Sequence, residues 1–121
     1  MTIEQGEIYV ANMNPGIKSK PGKIRPVLVI QATDLTDVGK QSITVVPLTT
    51  KLLPSNKLRL RVTSEMIPTL SSDSDILIDE IHTLHRSLFT KRLGRVSDET
   101  LESVLDGILF VLGIPKTSQN K

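Results

Sequence analysis

The sequence predicts a mainly β fold, a small closed or half-open barrel with one α-helix packed on it near the C-terminus. Three observations carry this. Short runs of β-forming residues, each bounded by turn residues, succeed one another over residues 7–84 without the strand–helix alternation of a parallel sheet. One run, Val27-Leu28-Val29-Ile30, is continuously apolar, as in a strand buried on both faces. Residues 97–115 hold a full set of helix start, face and stop signals.

Taken in order, Glu7-Ile8-Tyr9-Val10-Ala11 alternates and reads as the first strand. Asn12 to Lys23 holds the turn signals Asn14-Pro15-Gly16 and Pro21-Gly22 among polar side chains, and reads as a long exposed loop of the kind that carries function. Arg25 to Gln31 is the central strand. A polar turn centred on Asp37-Val38-Gly39-Lys40 leads into a third strand, Ser42 to Leu48. Pro47 stands near its end, where a missing N–H does least damage. Thr49 to Asn56 is a loop. Leu58-Arg59-Leu60-Arg61-Val62 is the clearest alternation in the chain and predicts a half-buried strand, leucines and valine inward, arginines outward. Ser74 to Leu84 reads as one strand, or as two joined at a bend.

In the helix, Ser97 is the N-cap, and Asp98 and Glu99 stand where the helix dipole favours acids. Leu101, Val104, Leu105, Ile108 and Leu112 recur at helical spacing as one apolar face. Gly113 then caps the helix and Pro115 forbids its continuation.

A chain of 121 residues implies one domain over 1–121, ending in a short polar tail at 114–121. A hydrophobic fraction of 38% suffices for one core, which must be aliphatic because Tyr9, Phe89 and Phe110 are the only aromatics. Without cysteine there is neither a disulfide framework nor a thiolate metal site. No run approaches the roughly 18 apolar residues of a membrane span, and the first residues lack the regions of a signal peptide. The expected address is the cytoplasm, with no membrane partner.

The net charge of +2 is weakly basic, but its distribution is uneven. Lys18, Lys20, Lys23 and Arg25 cluster without an acid; Lys57, Arg59 and Arg61 form a second group, and Arg86, Lys91, Arg92 and Arg95 a third. Acids gather at 73–80 and 98–106. This pattern suits a polyanion held in a groove, although ordinary solvated faces look the same.

Several islands, in order, resemble the MazF/PemK toxins: Gly6-Glu7-Ile8-Tyr9, Pro15, Arg25-Pro26-Val27-Leu28-Val29-Ile30, Val46-Pro47-Leu48-Thr49-Thr50, Ser74, Glu80-Ile81-His82-Thr83-Leu84 and Leu93-Gly94-Arg95-Val96. Each alone is weak. The Arg-Pro opening four aliphatics, followed some twenty residues on by Pro-Leu-Thr, is fairly specific in combination. The resemblance spans residue 6 to about residue 113. It implies an SH3-like barrel, a homodimer, and a sequence-selective endoribonuclease that cuts single-stranded RNA (mRNA). It also implies a cognate antitoxin protein whose disordered tail fills the RNA groove. The reaction it implies is attack by the ribose 2′-hydroxyl on the adjacent phosphate, giving a cyclic phosphate and a free 5′-hydroxyl. That reaction calls for a base, an acid and donors to the phosphorane, but for no cofactor and no metal, since the nucleophile is already in the substrate.

The resemblance makes Arg25 the catalytic phosphate clamp and acid; its guanidinium offers bidentate donation to phosphate. Thr49 becomes the active-site threonine, with a hydroxyl able to donate to a developing oxyanion, and Thr50 is its runner-up. Asp79 falls where some PemK-type toxins place a catalytic aspartate. Glu80 is adjacent, and on a strand only one of the two faces the groove; either could take the 2′-proton. His82 stands where the family often has a basic residue, which marks it for RNA contact. A metal shared by His82 and His85 is rejected, because on a strand they face opposite ways. Ser19, Lys20 and Lys23, in the loop before Arg25, are expected to contact RNA, the lysines adding affinity rather than specificity. Ser74 matches a family serine and is a further RNA contact.

Two departures stand out. Lys20 occupies the place of an acid, and Glu80 that of a glutamine, which moves the base role onto Asp79 or Glu80 and points to an altered sequence preference ahead of a loss of cleavage. The scarcity of aromatics weakens base stacking as a binding mode. Two alternatives use the same barrel: a gyrase-poisoning toxin like CcdB, disfavoured because the C-terminal tryptophan is missing, and a non-catalytic RNA- or protein-binding barrel.

Overall fold

In the computed structural model, residues 2–13, 24–54 and 56–116 are described. The elements run β1 (Glu7–Asn12), β2 (Ile24–Val29), α1 (Thr33–Asp37), β3 (Ser42–Thr49), β4 (Arg59–Val62), β5 (Ser74–Leu77), β6 (His82–His85), a 3₁₀ turn (Arg86–Leu88), β7 (Phe89–Arg95) and α2 (Asp98–Val111). The seven strands form one antiparallel sheet in the order β4-β5-β3-β2-β1-β7, with β6 also paired to β3. β3 is the hinge of this arrangement: its first half, Ser42–Val45, pairs with β6, and its last residues, Leu48 and Thr49, pair with β5. The sheet therefore splits and curls, barrel-like, round the apolar side chains.

Val27, Leu28 and Val29 are all fully buried, as the unbroken apolar run predicts. Alternate residues serve two clusters. Ile8, Leu28, Val46 and Leu48 point into the core under α2, with Val62, Ile76 and Val104. Tyr9, Val27, Val29 and Val45 point the other way, against Ile3, Ile43, Leu84 and Phe89. The pleat's two-residue period thus gives the central strands a packed layer on each face.

The structure corrects the sequence reading at several points. The turn at 37–40 is preceded by α1, a single turn with no amphipathic period; its Thr36 is buried and receives a hydrogen bond from Gln31 Nε2 at 2.9 Å. Gly39, at φ +91°, ends it in a conformation that only glycine adopts without strain. β7 was not expected, because its basic side chains hide the strand pattern. Residues 74–84 form two strands, with Asp79 and Glu80 in the exposed turn between them. On α2 the packed face is Leu101, Val104 and Ile108, whereas Leu112 is 57% exposed.

The helix ends follow their signals. Ser97 Oγ accepts from the Thr100 N–H at 3.1 Å. Gly113, at φ +70°, lets its own N–H reach the Phe110 carbonyl (3.1 Å) and the Ile114 N–H reach the Leu109 carbonyl (2.9 Å), a Schellman ending.

Candidate functional site

Arg25 stands one residue into β2, opposite Ala11 of β1. On the other side, β2 pairs with β3 through Val27↔Pro47, and continuing that register sets Arg25 beside Thr49. Thr49 in turn pairs with Asp75 of β5, and Asp75 with Arg61 of β4. One transverse row of the sheet therefore carries Arg25, Thr49, Asp75 and Arg61.

At this row Ile24, Arg25, Pro26, Leu48, Thr49, Thr50 and Ser74 line an open pocket of about 250 Å3. A second pocket of about 270 Å3 shares Ile24, Arg25, Pro26, Thr50 and Ser74 and extends over Thr69, Ser71 and Ser72. The joint floor is Ser74, only 2% exposed, whose hydroxyl donates to the Ser72 carbonyl at 3.2 Å. The pocket walls offer a guanidinium and hydroxyls and hold no carboxylate or imidazole. Among the described residues no acid lies within ion-pair reach of Arg25.

Thr49 is preset locally. Its Oγ1 accepts from the Lys51 N–H at 3.2 Å, which engages one lone pair and leaves the O–H to donate. Arg25, Thr49, Thr50 and Ser74 are thus brought together. Asp79, Glu80 and His82 are not: none lines either pocket, and all three are exposed. Asp79 follows Asp75, the partner of Thr49, by four residues and lies past the end of β5, in a turn closed by the Glu80 N–H on the Leu77 carbonyl at 3.1 Å. The expectation that alternation along a strand would choose between Asp79 and Glu80 fails because β5 ends at Leu77. His85 is a capping residue, its Nδ1 accepting from the Ser87 N–H at 3.1 Å. Ser19, Lys20 and Lys23 lie outside the described residues.

Among the described residues, much of the second and third basic clusters is tied up in structure. Arg92 donates to buried Glu7 at 2.6 Å, Arg95 to Glu4 at 2.8 Å, and Lys57 lies 4.8 Å over the Phe110 ring. Glu7 is also hydrogen-bonded by the hydroxyl of Tyr9, whose burial and proximity to Glu7 push its pKa up to about 12. Arg59 and Arg61, read as outward-facing, turn their Nε donors onto one carboxylate, Asp75, at 3.1 and 2.6 Å. Burial pushes the Asp75 carboxyl up, but hydrogen bonds from Arg61, the Leu53 N–H and Arg59 outweigh it and hold the pKa below the usual carboxylate range. Asp75 was missed. Its signal was an acid placed inside an apolar strand, across from two arginines on one strand face.

The model of the PemK-like, MazF-like toxins of type II toxin–antitoxin systems matches residues 4–112. The chain belongs to that family. The toxin is 36% identical over 112 residues to the probable endoribonuclease MazF of Mycolicibacterium smegmatis, a match covering 93% of this chain and 98% of that relative. Its fold is shared with two solved structures at lower identity. A mycobacterial endoribonuclease in complex with its cognate antitoxin superposes with a TM-score of 0.74 at 18% identity, covering 95% of this toxin and 99% of that chain. MazE–MazF from Deinococcus radiodurans gives 0.76 at 19%, covering 95% and 100%. The SH3-like barrel expected from the sequence islands is therefore the fold of this toxin. A further pocket, about 390 Å3 between α2 and β4, shares only Arg59 with the Asp75 network and no residue with the Arg25 site.

Proposed function

We propose that this toxin is a sequence-selective, metal-independent endoribonuclease that cleaves single-stranded mRNA in the cytoplasm and so arrests translation and growth, and that a cognate antitoxin neutralises it. The observation that carries this is the pairing of Arg25 and Thr49 in one pocket, with the guanidinium unclaimed by any described acid, in a chain whose relative is a probable endoribonuclease. The whole chain acts as one toxin domain.

The scissile phosphate sits against Arg25, whose two-pronged donation matches two phosphate oxygens. The ribose 2′-oxygen attacks phosphorus and gives its proton to water, since the pocket walls hold no carboxylate or imidazole to take it. Charge grows on the equatorial oxygens of the phosphorane, where Arg25 and the Thr49 hydroxyl donate to it. The P–O5′ bond then breaks, the 5′-oxygen takes a proton from water held at Arg25, which replaces the one lost by the 2′-hydroxyl, and a 2′,3′-cyclic phosphate remains. Thr50 and Ser74 hold the flanking nucleotide. Ser19, Lys20 and Lys23, just before Arg25, add phosphate contacts from the preceding segment. Asp79, Glu80 and His82 line neither pocket and contact nucleotides beyond the scissile phosphate.

Phe110, Leu112 and Ile114, each at least half exposed at the end of α2, support a homodimer. Sedimentation at micromolar concentration reads this directly, and a single-chain mass would remove it. The test of the function itself is incubation of the purified toxin with a long single-stranded RNA in EDTA. Discrete fragments with 5′-hydroxyl ends are expected. Intact RNA that shifts in a gel would instead favour a binding module.

A further inference from the structure

We infer that Asp75 is a positioning residue that holds the catalytic threonine, Thr49, ready through Arg59 and the Lys51 peptide. The inference rests on the ribonuclease reading of the Arg25 pocket.

The Asp75 side chain is 2% exposed and makes no contact with the pocket space. Its Oδ2 accepts from Arg59 Nε (3.1 Å) and from the Leu53 N–H (3.2 Å), and its Oδ1 from Arg61 Nε (2.6 Å). Each arginine then uses Nη2 on a backbone carbonyl of the segment that follows β3: Arg59 on Lys51 (2.7 Å) and Arg61 on Leu53 (2.8 Å). One buried carboxylate thereby orders two guanidiniums, and these with Asp75 itself fasten residues 51–53 at three points. The same Lys51 residue donates its N–H to Thr49 Oγ1 (3.2 Å).

The chain of contacts is therefore Asp75 to Arg59, Arg59 to the Lys51 carbonyl, and the Lys51 N–H to the Thr49 hydroxyl. Its end result is the direction of the Thr49 O–H. A donor to a developing oxyanion acts only when aimed beforehand, so slack anywhere in the chain appears in turnover more than in binding. Neutralising Asp75 removes the charge that holds Arg59 in place, and the Lys51 peptide is released.

The test compares Asp75→Asn and Arg59→Met with wild type, alone and combined with Thr49→Ala, on a single-stranded RNA, with thermal melting to establish that each variant is folded. Arg59→Met leaves the Asp75–Arg61 pair in place, so it reports even if Asp75→Asn does not fold. Each substitution is expected to lower kcat about tenfold with KM changed less than about twofold. In the Thr49→Ala background neither should lower kcat more than about twofold further, because the group they aim is gone. Full kcat in folded Arg59→Met, or the same tenfold loss with and without Thr49, overturns the inference alone. A wild-type toxin that cuts no RNA overturns the ribonuclease reading and this inference with it.

Discussion

Thr49 ends β3 and lines the Arg25 pocket, whereas Asp79 lies in the β5–β6 turn, and the two differ accordingly in importance. Thr49 has one lone pair occupied by the Lys51 N–H and lines the pocket it shares with Arg25. Thr49→Ala should therefore lower kcat by about 10²-fold, the scale of losing one oxyanion donor, with a smaller change in KM. Equal losses in both would make the threonine a binding residue. Asp79, in the exposed β5–β6 turn, lines neither pocket. Asp79→Asn should keep kcat/KM within about threefold of wild type, a change under about 1 kcal/mol. A loss of 10²-fold would return the base role to that carboxylate. That Arg25, Thr49, Thr50 and Ser74 would lie together was legible in the sequence because strand ends and short motifs are local features. Asp79 was expected on a strand read through to Leu84, whereas β5 stops at Leu77, two residues before it, and the acid inside the apolar run at Asp75 gained meaning only from partners that cross-strand register brings to it.

At the scale of elements, α2 was the most legible because its signals are all within the segment. The Ser97 cap bonds the Thr100 N–H, and replacing it with alanine should cost about 1 kcal/mol of unfolding free energy. Gly113→Ala should cost roughly 1 kcal/mol as well, because its φ of +70° brings a Cβ against the following carbonyl. Urea unfolding reads both, and an unchanged midpoint would show that the helix ends contribute little. β7 was hidden for the opposite reason. Arg92 and Arg95 look like a solvated or RNA-facing cluster, and only the fold shows them neutralised by Glu7 and Glu4, which lie across the sheet and near the N-terminus. α1 is one turn long, too short for a periodic signal.

For the whole molecule, the Asp75 ion-pair network joins β4, β5 and the segment after β3, so its charge state bears on global stability. The folded carboxyl has its pKa held below that of an unfolded aspartate, about 3.9. A depressed value means stability that is present above the unfolded pKa and lost as pH falls through the folded one. The urea midpoint of wild type should therefore drop between pH 5 and pH 3 more than that of Asp75→Asn, so that the gap between them narrows in acid. A constant gap would remove Asp75 from the acid response. The overall architecture was readable because the alternation of buried clusters along β1, β2 and β3 follows from the two-residue pleat, whereas the split of β3 between β5 and β6 depends on pairing that no local pattern records.

The central claim, that cleavage is done at the Arg25 pocket, is tested most directly by the cleavage rate of Arg25→Ala beside wild type, in EDTA, with melting curves for both. The account predicts wild-type-like melting and a rate lower by at least about 10³-fold, the scale set by catalytic arginines in phosphoryl transfer. A folded Arg25→Ala toxin that cuts RNA at the wild-type rate would contradict it.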